Sequence, residues 1–338
     1  MSKVKSSPKL IKEGKLSYEW ARSHMQILDN TINIIKYLKI TSKNKTILTL
    51  PISYSFGLSV LNTHLFSQAT IVLNSNSITE SFFWDLIKKT KPNNISFVPF
   101  QLHLIRKFKL FKLMNYNIKY IAQAGGKMDD EDLKFFINFC NKKNIKFISM
   151  YGQTEASPRM SYLENKFAEE KFGSIGKPIP GGKFYLIDKN GKKINKPNIL
   201  GELIYKGRNV CIGISKNYKD LINKQISDNI LNTGDMAYFD EDGFYFISGR
   251  KNRFAKIYGK RINLDELQNL VSNKNNKIFC KQINNKIIIF SDQKVDKINI
   301  INKLFKLTGL SKISFDLKLI KKIPITKTGK IIYDELKI

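Results

Sequence analysis

The chain has 338 residues, too many for one typical domain and about right for two, and its composition of 42% hydrophobic and 25% charged residues is globular. These values exclude a disordered tail and a fibre. The three cysteines, Cys140, Cys211 and Cys280, lie about seventy residues apart with no CxxC pair. This spacing argues against a zinc site or a disulfide framework and favours reduced thiols in a cytoplasmic protein.

The formal charge of +30 would suit a nucleic-acid-binding protein. However, the basic residues are 51 lysines and only seven arginines, and the lysines are dispersed in ones and twos. Readers of phosphates and bases usually concentrate arginine, whose planar fork lysine lacks. We therefore favour AT-rich codon composition over nucleic-acid binding by roughly four to one.

Over the first 150 residues, apolar segments rich in Ile, Leu, Val and Phe alternate with amphipathic segments. In chain order they predict a helix over Ser17–Leu38, a strand over Thr46–Leu50, a helix over Gly57–Phe66, a strand over Thr70–Leu73, a helix over Glu80–Lys89, a strand over Ile95–Val98, a helix over Gln101–Phe108, a strand over Tyr120–Ala124, a helix over Asp129–Asn141 and a strand over Phe147–Met150. Strands separated by helices predict an α/β fold, with a parallel sheet and crossover helices, whose ligands bind beyond the carboxyl ends of the strands.

After Gly173, short segments separated by Gly, Pro and Asn turns predict a small antiparallel β subdomain. From Asn252 onward, a lysine-rich stretch of short helices and strands predicts a separate small α+β domain. We therefore place the domain boundary between residues 251 and 252, giving domains 1–251 and 252–338. No membrane span is expected, because Pro51, Gly57 and Gln68 interrupt Thr46–Thr79, the one segment without Asp, Glu, Lys or Arg that is long enough to consider.

The first candidate site is Tyr151-Gly152-Gln153-Thr154-Glu155, directly after the predicted strand Phe147–Met150. An aromatic face suits a purine, a hydroxyl suits a phosphate oxygen, and a carboxylate suits Mg²⁺. For these five residues alone, a nucleotide site and an ordinary polar turn have even odds.

The second candidate site is Thr233-Gly234-Asp235 with Gly249-Arg250. The strands Met236–Phe239 and Phe244–Ile247 flank an Asp-Gly turn and predict a β-hairpin, which would place Asp235 beside Arg250. A carboxylate accepts hydrogen bonds from both hydroxyls of a ribose. The alternative is an ordinary ion pair that closes a hairpin.

The third candidate site is Pro324-Ile325-Thr326-Lys327-Thr328-Gly329-Lys330. A lysine after a Gly turn can neutralise negative charge that develops in a neighbouring site. Because the chain has 51 lysines, an exposed lysine is the alternative reading of this segment.

These motifs, together with GRxxxxxKIxGxRI at Gly249–Ile262, occur in an order that resembles the core motifs of the adenylate-forming superfamily. That superfamily contains acyl-CoA synthetases, firefly-luciferase-like enzymes and the adenylation domains of peptide synthetases. Leu50–Gly57 resembles the family's LPxxHxxG segment, and Gln123-Ala124-Gly125-Gly126 resembles its adenine-side glycine pair. Ile175-Gly176-Lys177-Pro178 and Gly201-Glu202-Leu203 fit as well. The resemblance covers nearly the whole chain.

The resemblance implies ATP, Mg²⁺ and an acceptor thiol of CoA or phosphopantetheine. For the nucleotide, it implies that Gly125, Gly126 and Tyr151 bind adenine, that Thr154 binds phosphate, that Glu155 binds Mg²⁺ and that Asp235 and Arg250 bind the ribose. For the reaction, it implies that Lys330 is the catalytic lysine of a mobile C-terminal domain and that this domain presents Lys256–Gly259 to the thiol. Tyr54 and Gly57 would lie on the acyl side of the site.

The sequence departs from the family in three places. Asn252 replaces the hinge Asp, and Tyr54 replaces the histidine of LPxxHxxG. The phosphate loop TSGTTGxPK would fall at Met1–Lys9, where only Ser7-Pro8-Lys9 matches, leaving Lys9 as its phosphate-side residue. The chain thus resembles a superfamily member without the first part of its large domain: a gene fragment, half of a split gene, or a mis-assigned start.

The leading hypothesis is an acid–thiol ligase that activates a carboxylic acid as acyl-AMP and transfers it to CoA or an acyl carrier protein. Amino-acid-activating relatives hold the substrate ammonium with an acidic residue near positions 54–57, and none occurs between Thr46 and Thr79. A fatty or aromatic acid is therefore favoured over an amino acid. The alternatives are an inactive fragment, one half of a split ligase with a separate N-terminal fragment as its partner, and, more weakly, a nucleic-acid-binding protein.

Overall fold

The computed structural model describes residues 4–5, 19–114, 117–215, 228–258, 260–272, 276–326 and 331–337. Within these ranges the helices are α1 (His24–Leu38), α2 (Ser55–Phe66), α3 (Ser81–Thr90), α4 (Pro99–Lys107), α5 (Asp130–Lys142), α6 (Leu264–Val271) and α7 (Lys297–Thr308). The strands are β1 (Val4–Lys5), β2 (Glu19–Ser23), β3 (Lys45–Ile47), β4 (Thr70–Val72), β5 (Asn94–Phe97), β6 (Tyr120–Gln123), β7 (Lys146–Tyr151), β8 (Ser161–Leu163), β9 (Lys177–Pro178), β10 (Lys183–Ile187), β11 (Lys193–Ile194), β12 (Gly201–Lys206), β13 (Gly213–Ser215), β14 (Ile230–Phe239), β15 (Tyr245–Arg250), β16 (Phe254–Ile257), β17 (Lys260–Asn263), β18 (Phe279–Ile283), β19 (Lys286–Ser291) and β20 (Phe315–Leu319).

The central sheet has seven strands in the order β4-β3-β5-β6-β7-β8-β9. The first five strands in this order run parallel, and β8 and β9 continue the sheet in antiparallel pairing. The predicted parallel sheet with crossover helices is therefore confirmed. Its parallel strands share one carboxyl edge, to which the loops after β3, β6 and β7 belong.

Both faces of this sheet are covered, as its apolar strands require. Successive residues of β6 alternate between the faces: Tyr120 and Ala122 belong to the core formed with α1 and α2, and Ile121 belongs to the core formed with α3, α4 and α5. Each core is rich in large aliphatic and aromatic side chains, and Phe83 and Phe136 are fully buried.

The predicted helix over Ser17–Leu38 is wrong in its first part. Residues Glu19–Ser23 form β2, and the helix begins only at His24. Strand β2 pairs antiparallel with β1 and with β13, with Trp20 opposite Ile214. Pairing with a segment almost 200 residues away overrides the local helical spacing, a long-range effect that periodicity does not detect.

The segment between the central sheet and residue 250 contains a five-stranded sheet with the order β11-β10-β12-β14-β15. Its β14–β15 hairpin turns at Asp240–Gly243, where the Gly243 amide donates to the Asp240 carbonyl at 3.0 Å. The antiparallel subdomain and this hairpin are both confirmed.

The chain divides into two compact units: residues 1–199, 203–233 and 239–246 form the first, and residues 200–202, 234–238 and 247–338 form the second. In the second, α6 and α7 pack with β18, β19 and β20, and Ile287 and Ile289 of β19 are fully buried. The boundary at 251/252 stays a prediction.

The cysteines Cys140, Cys211 and Cys280 are free and buried. In the described ranges, no helix combines the length and apolar character needed to cross a membrane.

Candidate active site

Three of the sequence-predicted segments lie at the carboxyl edge of the central sheet. The LPxxHxxG-like segment follows β3, the Gly125-Gly126 pair follows β6, and Gly152–Glu155 follows β7. Because these strands are parallel, the segments are neighbours, although the first and the last lie about 100 residues apart in the chain.

The tripeptide Tyr54-Ser55-Phe56, at the start of α2, joins these segments. The Ser55 and Thr154 hydroxyls are hydrogen-bonded at 2.9 Å. The Tyr54 hydroxyl lies against the backbone of Gly125, and the Phe56 ring lies 4.9 Å from the guanidinium carbon of Arg159. One helix N-terminus thus contacts both the glycine pair and the YGQTE loop.

Gly57 allows α2 to begin at this point. A Cβ at Gly57 would collide with the backbone carbonyls of Pro51 and Leu50. Only glycine lets the helix pack so closely on the preceding loop, and this close packing sets the positions of Tyr54 and Ser55.

Gly125 has a φ of +97°, a conformation that L side chains rarely adopt. A Cβ built there would lie 2.6 Å from the Tyr54 hydroxyl and 3.2 Å from Val98 Cγ1. Burial raises the pKa of Tyr54, so its phenol stays neutral near pH 7. Gly126 is exposed, and its carbonyl accepts a hydrogen bond from Gln123 Nε2 at 3.2 Å.

Tyr151 is the last residue of β7, and its ring meets Phe184 edge to face at 6.2 Å. Gln153 donates from Nε2 to the Thr233 carbonyl at 2.8 Å, which links the first and second sequence motifs. Thr154 and Glu155 lie in the short 3₁₀ turn Thr154–Ala156, and the Glu155 carbonyl accepts from the Cys211 amide at 2.7 Å.

Glu155 is half-buried and is the candidate Mg²⁺ ligand of this loop. The part of the chain that the structure describes holds no group of three or more His, Cys, Asp or Glu side chains that could bind a metal ion. A single carboxylate is compatible with Mg²⁺ nonetheless, because this ion is usually held by one or two carboxylates together with substrate phosphates and water.

The predicted Asp235–Arg250 pair is present. Arg250 Nε lies 3.2 Å from Asp235 Oδ1, and the Asp235 side chain is 5% exposed whereas that of Arg250 is 61% exposed. Such a half-exposed pair contributes little to stability. A buried carboxylate beside an accessible guanidinium instead suits a polyhydroxylated ligand.

The side-chain surroundings of five predicted site residues are not described. Lys9, Gly259 and Lys330 lie outside the described residues. Asn252 belongs to the 3₁₀ turn Lys251–Arg253, and Lys256 lies in β16, opposite Arg261 of β17, but only their backbone is described.

Sequence reasoning missed Ser55, Gln153 and Arg159 as contact residues. Ser55 and Gln153 occupy variable positions of the motif patterns, so the patterns carry no signal for them. Arg159 did offer one, since it is one of only seven arginines in a lysine-rich chain and lies four residues beyond Glu155.

Comparisons with known proteins agree with this geometry. A family model described as AMP-binding enzyme matches residues 21–214. The oxalate–CoA ligase of Saccharomyces cerevisiae is 25% identical over 321 residues, which are 91% of this chain and 58% of the relative. The indoleacetate–CoA ligase of Aromatoleum aromaticum is 25% identical over 245 residues, or 72% and 46%. The chain spans about half the length of these curated relatives.

Among solved structures, the o-succinylbenzoate CoA synthetase of Bacillus subtilis in complex with AMP has a TM-score of 0.75 at 20% identity, covering 99% of this chain and 68% of that one. The same enzyme with ATP and a magnesium ion has a TM-score of 0.75 at 21% identity, covering 94% and 66%. At these identities the likeness shows the fold.

The family match covers more than half of the chain and includes all the segments that meet at the sheet edge in the first unit. The structural likeness extends through the second unit as well. The chain therefore belongs to the AMP-binding enzyme family, the adenylate-forming superfamily.

Proposed function

We propose that this chain carries the adenylation and thiol-transfer chemistry of an ATP-dependent acid–thiol ligase. The observation that supports it most is the contact of Tyr54-Ser55-Phe56 with both Gly125 and the Thr154 loop at the carboxyl edge of the sheet. The relatives include ligases named for indoleacetate, 2-succinylbenzoate and oxalate, which favours an aromatic or a dicarboxylic acid as substrate.

The reaction takes place in two steps. A carboxylate oxygen attacks the α-phosphorus of ATP, a new P–O bond forms, and the bond to pyrophosphate breaks. The thiol sulfur then attacks the acyl carbon of the acyl-AMP, AMP leaves with the electron pair of its C–O bond, and the thiol proton passes to solvent. Positioning and charge neutralisation supply most of the catalysis.

In this proposal the loops at the carboxyl edge of the central sheet bind the base and the phosphates. Gly125, Gly126 and Tyr151 frame adenine, and Thr154 donates its hydroxyl to a phosphate oxygen. Glu155 would hold Mg²⁺, which when bound neutralises phosphate charge.

The β14–β15 hairpin binds the ribose, and the C-terminal segment carries the mobile groups. The Asp235 carboxylate accepts from the ribose hydroxyls beside Arg250, and Lys330 neutralises charge at the α-phosphate during adenylation. Lys256 and Gly259 belong to the strand presented to the thiol, with Asn252 at the hinge. Lys9, which lies outside the described residues, would face the pyrophosphate leaving group.

The acceptor proposed is CoA or the phosphopantetheine of an acyl carrier protein, and the site of action is the cytoplasm. A separate chain that supplies the phosphate loop is proposed as a partner if adenylation needs one.

The test combines nucleotide binding with turnover on the full chain. Calorimetric titration with MgATP should show binding that Asp235→Asn weakens about tenfold or more, because two charge-assisted hydrogen bonds are lost. Asp292→Asn makes the same charge change at an exposed turn and should leave binding unchanged. Acid-dependent exchange of pyrophosphate into ATP then measures adenylation directly.

Two results would contradict the proposal. One is MgATP binding that Asp235→Asn and Asp292→Asn change equally, which would remove Asp235 from the site. The other is an absence of MgATP binding together with an absence of exchange across aromatic, aliphatic and dicarboxylic acids. Binding without exchange would keep the nucleotide site and point to a missing partner chain.

A further inference from the structure

A buried arginine with free donors lies next to the candidate active site. Arg159 is 2% exposed and is among the largest fully buried side chains of the protein. Its Nε and Nη1 atoms are buried and make no hydrogen bond to any described residue. Its backbone carbonyl is engaged, accepting from Asn30 Nδ2 at 2.9 Å.

The surroundings of Arg159 are aromatic and rich in hydroxyl groups. Phe56 of α2 lies 4.9 Å from the guanidinium carbon, and Tyr37 of α1 stacks on Tyr162 with ring centroids 4.1 Å apart. The Tyr37 oxygen lies within reach of the guanidinium, and its O–H donates to a weak acceptor, Met150 Sδ, at 3.0 Å. The Tyr120 hydroxyl of β6 is buried and, like Nε and Nη1 of Arg159, has no hydrogen-bond partner among the described residues.

The charge of Arg159 is not compensated within the described residues, where no carboxylate pairs with it. Burial raises the pKa of Tyr37 and Tyr120, and the nearby Arg159 charge only partly offsets this effect. Both tyrosines are therefore neutral near pH 7 and supply no counter-charge. The Phe56 ring compensates the cation only in part.

Buried charges in folded proteins are normally paired, because an uncompensated ion loses its hydration and gains nothing in exchange. A protein keeps such an ion where a ligand supplies the counter-charge. Free guanidinium donors beside a free phenol match the acceptor geometry of a carboxylate, which arginine binds through two parallel hydrogen bonds.

The position of this cluster identifies which carboxylate it would bind. Arg159 contacts Phe56, whose neighbours Ser55 and Tyr54 contact Thr154 and Gly125. The reacting carboxylate must meet the α-phosphate at the Thr154 loop, so a carboxylate held by Arg159 is a second one on the same molecule.

We propose that Arg159, with Tyr37 and Tyr120, forms a subsite for the second carboxylate of the acid substrate, and hence that the substrate class is a dicarboxylic acid. This inference rests on the proposed ligase function. It narrows the sequence expectation of a fatty or aromatic acid to acids that carry a second anionic group.

The test uses matched acids and measures binding to the full chain by calorimetry. Each dicarboxylic acid is paired with its counterpart lacking one carboxylate: 2-succinylbenzoate with 4-oxo-4-phenylbutanoate, glutarate with butyrate, and terephthalate with benzoate. We expect at least one dicarboxylate to bind about tenfold to hundredfold more tightly than its partner, the range for charge-assisted hydrogen bonds. Equal affinities within all three pairs would overturn the proposal.

Three variants assign the preference to the guanidinium. Arg159→Met should abolish it, Arg159→Lys should retain part of it, and Arg208→Met, which removes an exposed arginine of the same unit, should leave it intact. Arg159→Met should also keep or raise the melting temperature without ligand, because an uncompensated charge is removed. If Arg159→Met lowers the melting temperature and weakens the binding of dicarboxylates and monocarboxylates equally, Arg159 has a structural role and the subsite is refuted.

Pyrophosphate exchange separates this inference from the function on which it rests. Exchange supported equally by both members of every pair, in wild type and in Arg159→Met, would leave the ligase standing and remove the subsite. Binding of a dicarboxylate that depends on Arg159, without exchange or MgATP binding, would leave the subsite standing and remove the proposed ligase function.

Discussion

The contact between Gly125 and Tyr54 predicts that Gly125→Ala strongly lowers the free energy of unfolding, through two effects that can be measured separately. The backbone of Gly125 has a φ of +97°, which costs about 1–3 kcal/mol for a residue with a side chain. The new Cβ would also lie 2.6 Å from the Tyr54 hydroxyl oxygen, and overpacking of this kind costs about 1–3 kcal/mol. We therefore expect Gly125→Ala to lower the free energy of unfolding by about 2–6 kcal/mol.

Tyr54→Phe removes the oxygen that the new methyl group would meet and leaves the backbone strain in place. The next atom of the ring, Tyr54 Cζ, is 3.7 Å from the built Cβ, an ordinary contact. In the Tyr54→Phe background, Gly125→Ala should therefore cost less, namely the backbone strain of about 1–3 kcal/mol and whatever the remaining 3.2 Å contact with Val98 Cγ1 adds. Equilibrium urea unfolding of the four proteins, followed by circular dichroism, measures this coupling as a double-mutant cycle. Additive costs would show that the hydroxyl does not press on Gly125 and would refute the close approach.

Three further predictions concern other groups. Lys330→Ala should lower acyl-adenylate formation at least about 100-fold and spare thiol transfer from supplied acyl-AMP, with the exposed Lys306→Ala as control; equal loss in both half-reactions would contradict its role. Gly57→Ala should weaken MgATP binding as well as stability, because a Cβ would push against the Pro51 carbonyl and shift the start of α2; an unchanged affinity would contradict this. Burial raises the pKa of the Asp132 carboxyl, but hydrogen bonds from His103 at 2.8 Å and Arg106 at 2.7 Å outweigh it and hold the pKa below its ordinary value. The stability this carboxylate contributes is complete above its unfolded pKa and is lost as pH falls through its folded pKa, so melting temperatures of wild type should fall more steeply than those of Asp132→Asn on acidification below about pH 4.

The order of the central elements could be predicted because each carries its own local signal. Strands buried on both faces appear as short apolar runs, and the crossover helices appear as amphipathic segments. Glu19–Ser23 was mispredicted because its strand pairing depends on a partner at Gly213–Ser215, for which the local sequence holds no information. The start of α2 at Ser55 depends on how closely Gly57 approaches Pro51, which is a tertiary property as well.

The candidate site shows the same division between local and long-range information. The Asp235–Arg250 pair follows from hairpin register alone and was predictable, as the 3.2 Å contact shows. Arg159 was not, because its significance lies in what surrounds it: a buried cation becomes informative only when every neighbouring carboxylate has been found absent among the described residues.

The absence of a carboxylate paired with Arg159 among the described residues also bears on the substrate specificity. The lack of acidic residues in Thr46–Thr79 bears on the substrate by exclusion, because it disfavours an amino acid. Arg159 indicates instead which group the substrate must carry, since its desolvated charge is compensated only when an anion is present. Specificity built on an unpaired buried charge rejects an uncharged analogue more strongly than an apolar pocket could, because binding that analogue leaves the charge unpaired. The matched monocarboxylates should therefore bind weakly for two reasons. They lack the hydrogen bonds to Arg159, and their binding leaves its guanidinium desolvated and unpaired.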